Sequence, residues 1–283
     1  MRFTKLHGTG NDFLVIDARD VTRDWSPLAE AMCNRHVGIG ADGVMLVLPS
    51  DDADVRMRLF NADGSEAEMS GNGLRCFVKY VIDRGVVTAR EGAVRVETLA
   101  GVLSAFATLA NRRVEAVRVG MGQPRFAPVD VPVAIEAEPP IVDYPLDANG
   151  RTLAITCVSM GNPHAVHFVD APVDGFPLEI IGPIVEQHPL FPNRVNFGVA
   201  RVLARDRMEV RVWERGVGET LACGTGVSAA VVAARLRGFV DDAVEVQQPG
   251  GMLAIEWGGE GEVYLSGPAV EVFEGEWPEG SAP

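Results

Sequence analysis

The chain has 283 residues, 47% of them hydrophobic and 23% charged, a globular balance that can fill one large core or two smaller ones. A formal net charge of −14 argues against nucleic acid and anionic membranes as partners, because both need a basic face. No apolar run approaches the roughly 18 residues of a membrane span, and the first residues carry no apolar signal region. The four cysteines (Cys33, Cys76, Cys157, Cys223) are scattered and form no C-x-x-C pair, so we expect a reduced cytoplasmic protein without a metal site or disulfide framework.

Residues 3–7 and 13–17 predict two strands joined as a hairpin by the Gly8-Thr9-Gly10-Asn11 turn. No Lys-Ser/Thr follows these glycines, so the turn is not a phosphate-binding P-loop. Residues 27–34 have helical character, 35–43 form a loop, and 44–48 and 55–60 read as strands. Asn61-Ala62-Asp63-Gly64-Ser65-Glu66 then leads to Ser70-Gly71-Asn72-Gly73 and a helix over 74–82 that Gly85 ends. Three antiparallel strands are expected at 94–98, 102–107 and 114–120. The Pro-rich stretch 124–145 is the best candidate for a boundary.

Strands at 153–158 and 165–169 flank Ser159-Met160-Gly161-Asn162-Pro163-His164. A loop-and-helix region over 175–188 precedes strands at 194–199 and 207–213. Glu214-Arg215-Gly216-Val217-Gly218-Glu219 brings the chain to Cys223-Gly224-Thr225-Gly226 and a helix over 227–236 ended by Gly238. Strands at 244–247, 252–257, 263–266 and 270–273 complete the pattern, and the tail 276–283 is expected to fray.

The two Gly-x-Gly phrases are one phrase written twice. The interval between Ser70 and Cys223 also separates Arg58 from Arg211, Phe60 from Trp213 and Glu66 from Glu219; Gly10-Asn11 precedes Gly161-Asn162 by two residues fewer. These landmarks imply an internal duplication. The expected fold is α/β of the α+β type: two pseudo-symmetric halves, each a mixed, mostly antiparallel β-sheet wrapped around a central helix, with the active site in the cleft between them. Residues 1–120 plus 268–283 would make the half that carries Ser70, and 121–267 the half that carries Cys223.

A Gly-rich turn that opens a helix offers unpaired backbone N–H groups to an anion such as a carboxylate. It also brings a thiol near the positive end of the helix dipole, where its pKa can fall to roughly 3.5–7.5. Two such ends, one with a hydroxyl and one with a thiol, suit removal and return of the proton on an α-carbon whose carboxylate they hold. That is racemisation or epimerisation without a cofactor. Pyridoxal phosphate chemistry needs a Schiff-base lysine, and Lys5 and Lys79 are the only lysines. Plainer readings remain open on the residues alone. Cys33 and Cys76 read as buried apolar residues, Asn11, Asn162 and Asn196 as turn or capping residues, His164 as a partner of the backbone, and Glu214-Arg215 as a surface ion pair.

Lys5-Leu6-His7-Gly8-Thr9-Gly10-Asn11-Asp12-Phe13, Asn61-Ala62-Asp63-Gly64-Ser65-Glu66, Ser159 to His164 and Glu214 to Gly226 together resemble the diaminopimelate epimerase family, over nearly the whole chain and in the family's order. The resemblance implies two pseudo-symmetric halves and a cofactor-independent interconversion of LL- and meso-diaminopimelate, in lysine and cell-wall precursor synthesis. It implies that Asn11, Asn61, Asn162, Asn196, Glu214 and Arg215 hold the two amino-acid ends of the substrate. Gly71-Asn72 and Gly224-Thr225 would give backbone N–H groups to the reacting carboxylate. Cys223 would be one of the two acid/base residues, and His164 and Glu214 would tune the site. The partner is then a small amino acid, and exposed strands suggest a homodimer.

Two positions depart from the family pattern. Gly43 stands where a Gln commonly follows the aspartate, and Ser70 stands where the second catalytic Cys belongs. A hydroxyl is a far weaker acid than a thiol. Cys76 cannot replace it, because six residues along a helix is about 600° of rotation and roughly 9 Å of rise. Ser70 is therefore expected to deliver a proton itself or through water, opposite Cys223. The alternatives are a proline or hydroxyproline racemase or dehydratase, and an amino-acid-binding homologue with impaired catalysis.

Overall fold

The structure is a computed structural model that describes residues 1–278. Its strands are β1 (Arg2–Gly8), β2 (Asn11–Asp17), β3 (Gly43–Leu48), β4 (Val55–Asn61), β5 (Glu66–Ala67), β6 (Ala93–Thr98), β7 (Gly101–Ala110), β8 (Arg113–Gly120), β9 (Tyr144–Ala148), β10 (Arg151–Ser159), β11 (Pro163–Phe168), β12 (Asn196–Ala204), β13 (Arg207–Glu214), β14 (Gly218–Thr220), β15 (Ala243–Gln248), β16 (Gly251–Glu256), β17 (Tyr264–Pro268) and β18 (Val270–Glu276). The helices are α1 (Ser26–Cys33), α2 (Gly71–Asp83), α3 (Leu178–Glu186) and α4 (Gly224–Leu236). None of them is long and apolar enough to cross a membrane.

The chain divides into two compact units, Met1–Gly120 with the C-terminal stretch from Ser266, and Met121–Leu265. In the first, β1 and β2 form the expected hairpin, with Gly8 opposite Asn11. β2 then runs parallel to β3, with Phe13 beside Gly43; β3 is antiparallel to β4, and β4 to the short β5. The chain enters α2, returns on β6 parallel to β4, and closes with the antiparallel run β6–β7–β8. β18 lies along the outer edge of β1.

The second unit repeats this order. β10 is antiparallel to β11, β11 parallel to β12, β12 antiparallel to β13 and β13 to β14. After α4, β15 returns parallel to β13 and pairs with β16. β9 edges β10 as β18 edges β1. Because each parallel step and each hairpin recurs at the same place, the duplication read from the landmarks is a duplication of topology. The fold is mixed α+β, mostly sheet.

Composition explains how each helix sits. Every residue of α4 from Gly226 to Ala234 is buried, and these are nearly all Ala and Val. A helix that is apolar all round has no solvent face, and α4 packs on β10, β11, β12, β13 and β16. In α2, one face buries Leu74, Cys76, Phe77, Val78 and Val81, while Lys79 and Asp83 pair with each other at 2.9 Å and bond Val114 at the edge of β8. The helices end at Arg84 and Arg237. Gly85 and Gly238 follow with φ of 68° and 70°, backbone that side chains disfavour.

The division at Gly120/Met121 falls just before the Pro-rich stretch, which belongs to the second unit. Val131, Val133, Ile135 and Ile141 are buried in the core of the second unit with Phe176, Leu178, Phe191 and Phe197. The fraying expected from residue 276 does not begin there. Glu276 ends β18, and Trp277 exchanges backbone hydrogen bonds with Met1, whose ammonium donates to Trp277 O at 2.7 Å. The rest of that expectation, residues 279–283, lies outside the described residues.

Candidate active site

In the first unit, Ser70 is the N-cap of α2. Its backbone is extended (φ −138°, ψ 125°), and its Oγ accepts a hydrogen bond from Gly73 N at 3.1 Å. The hydroxyl thus fills one of the vacant-donor positions that open any helix, and its own proton is left to donate. Gly71 and Asn72 follow with their N–H groups in the first turn. Asn72 Nδ2 lies 3.4 Å from Asn11 Oδ1, which ties the β1–β2 turn to the helix start.

Asn11 is set by a charged cluster. Its Nδ2 donates to Asp42 Oδ2 at 2.5 Å, and Asp12 N donates to the same oxygen at 3.1 Å. Arg35 bridges Asp12 (2.6 Å) and Asp42 (2.7 Å), and Lys5 reaches Asp12 at 2.9 Å. Burial works against the charge on Asp12, but Arg35 and Lys5 hold its carboxyl below the ordinary aspartate value. Asn61 stands apart from this cluster; its Nδ2 donates to Ser65 Oγ at 3.0 Å, across the turn that closes β4 onto β5.

In the second unit, Cys223 is the N-cap of α4, again extended (φ −125°, ψ 106°), but its side chain makes no cap bond. Its Sγ lies 3.6 Å from Thr225 Oγ1, and its backbone N donates to Gln248 Oε1 at 3.0 Å. The depressed thiol pKa expected from the helix N-terminus is not found. Burial and the negative charge of Glu214 push the thiol up to about 12, and Thr225 and the Gly226 N–H only partly offset them. Desolvation of a thiolate outweighs the fractional charge at a helix end.

His164 sits on β11, beside Asn196 on β12. It is fully buried, and burial, then the charge of Arg215, bring its imidazole down to about 3. It is neutral at pH 7. Its Nε2 lies 2.9 Å from Asn162 Oδ1, and Asn162 Nδ2 donates to Thr225 Oγ1 at 3.2 Å. Both ends of the Asn162 amide are thus engaged by other side chains. Asn196 is engaged by the backbone: its Nδ2 donates to Pro163 O at 3.0 Å, and its Oδ1 accepts from Arg215 N at 2.8 Å. It latches the turn that carries Arg215, and one of its two amide hydrogens is spent on Pro163 O.

Glu214 and Arg215 do not pair with each other. Glu214 Oε1 accepts from Thr220 Oγ1 at 2.6 Å. Arg215 is exposed, donates from Nη1 to Asn193 O at 2.9 Å, and has no carboxylate partner among the described residues. It is a cation held at its backbone by Asn196 and at one guanidinium nitrogen by the Asn193 carbonyl.

Several supporting residues have no sequence signal. Glu186, at the end of α3, accepts from Trp213 Nε1 at 2.8 Å and Gly216 N at 2.9 Å, so one buried carboxylate shapes the Arg215 turn from behind. Gln248 is remote in sequence from the Cys223 N–H it holds. Arg75 is fully buried and has no carboxylate partner among the described residues; its Nη2 donates to Thr9 Oγ1 at 3.3 Å and its Nε to Pro268 O at 3.4 Å. Burial lowers its guanidinium to about 10, so it keeps its charge at neutral pH. The density of charge in the 35–43 loop was the one available pointer to the Asn11 cluster. Gly43 has a spatial reason: a Cβ there would stand 2.7 Å from Phe60 O, so a Gln at this place needs a different strand spacing. Among the described residues no three His, Cys, Asp or Glu side chains gather as a metal site.

The family model for diaminopimelate epimerase matches residues 3–127 and 156–272. A diaminopimelate epimerase of Moorella thermoacetica is 50% identical over 281 residues, covering 98% of this chain and 99% of that one. One from Pelotomaculum thermopropionicum is 49% identical over 282 residues, with coverage of 98% and 99%. Among solved structures, a phenazine biosynthesis protein of the PhzF family from Bacillus anthracis superposes with a TM-score of 0.68 over 98% of this chain and 99% of its own, at 19% identity. At that identity the likeness is one of fold, two pseudo-symmetric halves included.

Proposed function

Because this chain belongs to the diaminopimelate epimerase family, we propose that it interconverts LL- and meso-diaminopimelate by moving the proton on one α-carbon, an isomerase step of lysine biosynthesis that uses no cofactor. The observation that carries the reading is Cys223: a thiol at the N-terminus of a buried helix, free of any capping bond, with Glu214 and a hydroxyl as its nearest polar influences. A thiol so placed exchanges its proton with an acidified C–H. The backbone N–H groups of Gly224 and Thr225 stabilise the carboxylate on which negative charge collects.

Inversion needs a second group for the opposite face of the α-carbon, and Ser70 is that group. When Cys223 is the base, its sulfur takes the α-hydrogen, the C–H pair moves toward the carboxylate, and the Ser70 hydroxyl returns a proton to the carbon. In the reverse direction the alkoxide of Ser70 is the base, and only the Gly73 N–H and the helix end support it. Ser70 is thus the slower partner. Gly71 and Asn72 contribute backbone donors on its side. Arg215 and the side chains of Asn11 and Asn61 recognise the charged groups of the amino acid, while Asn162, Asn196, His164 and Glu214 set the positions and protonation of the groups that touch it. The substrate is a small, multiply charged amino acid, whose carboxylate suits the Arg215 guanidinium.

Incubation of the enzyme with LL-diaminopimelate in deuterated water tests this. We expect α-deuterium in the meso isomer and, more slowly, in recovered LL substrate. Absence of α-deuterium from both isomers overturns the proposal. Deuterium without inversion removes Ser70 from the mechanism.

A further inference from the structure

We propose that the Thr225 hydroxyl is the hydrogen-bond donor that stabilises the Cys223 thiolate, and that Asn162 and His164 fix its direction. The inference rests on the reading of Cys223 as an acid/base residue and adds a positioning role for three side chains. Three contacts carry it in series: His164 Nε2 to Asn162 Oδ1 at 2.9 Å, Asn162 Nδ2 to Thr225 Oγ1 at 3.2 Å, and Thr225 Oγ1 to Cys223 Sγ at 3.6 Å.

The series has a polarity. An amide oxygen only accepts, so His164 Nε2 carries its hydrogen and donates. That leaves the amide N–H of Asn162 facing Thr225. Once Thr225 Oγ1 accepts from Asn162, its own proton is directed elsewhere, and the sulfur is the polar atom within reach. The buried neutral imidazole suits this role, since a neutral ring with its hydrogen on Nε2 always presents a donor to Asn162.

Chemically the relay does not pass protons along. When Cys223 gives its proton to the α-carbanion of the substrate, a C–H bond forms as the S–H bond breaks, the S–H electron pair stays on sulfur, and Thr225 keeps its hydrogen while donating to the anion. When the thiolate then takes the α-hydrogen, the hydrogen bond weakens and the sulfur is neutral again. Thr225 therefore opposes Glu214 on β13, the charge that disfavours the thiolate. The other polar groups buried around α4 do not compete. Thr156 on β10 and Asn196 on β12 are uncharged, Gln248 on β15 holds the Cys223 N–H, and Glu186 is spent on Arg194, Trp213 and Gly216. Arg215 acts on His164, whose ring it helps keep neutral.

The test is alkylation of Cys223 by iodoacetamide, followed by peptide mass spectrometry at fixed pH values below the thiol midpoint. Thr225→Val keeps the shape and removes the donor; Thr225→Ser keeps the donor. A hydrogen bond worth one pKa unit lowers the thiolate fraction about tenfold, and the better nucleophilicity of the more basic thiolate reduces that to a roughly threefold slower alkylation. We expect that slowing in Thr225→Val, wild-type behaviour in Thr225→Ser, and a smaller slowing in Asn162→Leu, which frees the hydroxyl to rotate. A rate in Thr225→Val equal to the wild type overturns the proposal. A faster rate also overturns it, since it shows Thr225 accepting from the thiol. If Thr225→Val does not fold, as judged by circular dichroism, Asn162→Leu alone decides by the same comparison. Alkylation needs no turnover, so the relay and the epimerase reading fail independently: the first by these rates, the second by the deuterium experiment.

Discussion

Arg211 closes a two-pronged ion pair on Glu219, with Nε 2.7 Å from Oε1 and Nη2 2.8 Å from Oε2, eight residues along the chain from β13 to β14. Arg58 grips Glu66 in the same way across β4 and β5, at 2.6 and 2.9 Å. Each pair clips the short hairpin that delivers the chain to a helix start. The glutamates stand four residues before Ser70 and Cys223, yet they serve the approach to those residues and do not touch them.

The two clips are unequal. Arg211 also donates through Nη1 to the carbonyls of Val173 (2.8 Å) and Phe176 (3.0 Å), and its side chain is only 13% exposed; that of Arg58 is 32% exposed and rests on the Phe60 ring. Arg211→Met should cost about 3 kcal/mol, the loss of a half-buried pair with its carbonyl bonds. Arg58→Met should cost about 1 kcal/mol or less. Urea unfolding of the two variants measures the difference, and equal midpoints would contradict the asymmetry.

Ser70→Cys replaces a weak acid by one whose anion is within reach. General acid–base groups contribute roughly 10²–10⁴-fold, and an increase of about that order in kcat/KM is expected. Because the equilibrium between substrate and product is fixed, the forward and reverse kcat/KM must rise by the same factor, which assays begun from each isomer will check. Ser70→Ala removes the bond to Gly73 N and should cost about 1 kcal/mol of stability as a lost helix cap.

The second glycine of each phrase is required by close packing. A Cβ on Gly226 would stand 2.8 Å from Val212 Cγ2 and 3.2 Å from Cys223 Sγ; on Gly73 the nearest atoms are Ser70 Cβ at 3.2 Å and Met45 Sδ at 3.3 Å. Gly226→Ala should destabilise by about 1–3 kcal/mol through overpacking, and its displaced thiol should lower kcat more than KM. Gly73→Ala, beside a flexible methionine, should lose less on both measures. Thermal unfolding and initial-rate kinetics distinguish them.

Acid should weaken the protein in two stages. His164 has its pKa depressed by burial, to about 3, so the unfolded chain binds this proton first as pH falls. Its contribution is complete above roughly pH 6.5 and fades by about 1.4 kcal/mol per unit as pH drops toward the native value. Asp12 is also depressed, so its contribution is present above roughly pH 4 and is lost as pH falls through the native pKa. Urea midpoints between pH 8 and pH 3 should decline in that order. The slope between pH 6 and pH 4 should shrink in His164→Gln, and the imidazole should show no NMR titration between pH 8 and pH 5.

Much of this was legible beforehand because it depends on neighbours in the chain. Alternating residues marked β4 and β13, Gly85 and Gly238 marked helix ends, and the repeated Arg and Glu landmarks marked the duplication. What escaped depends on distant parts of the chain. The two- and three-residue strands β5 and β14 are too short for a period. Val131 and Ile141 are core residues in a stretch whose proline content marked only a candidate boundary. At the site, residue type announced that Asn162 and Asn196 are polar and near glycines, but only the fold decides that their amides are turned toward Thr225 and the backbone. The thiol pKa went astray for a related reason: a helix N-terminus can be read from spacing, and burial cannot.

The repeated topology has a historical corollary. Were each half a separate chain assembled as a symmetric pair, both helix starts would necessarily carry one residue, since a twofold assembly repeats every side chain. Joining the copies in one polypeptide lifts that identity. Position 70 and position 223 can then be inherited, lost and selected separately, and a hydroxyl at one helix start with a thiol at the other is a combination closed to two identical chains.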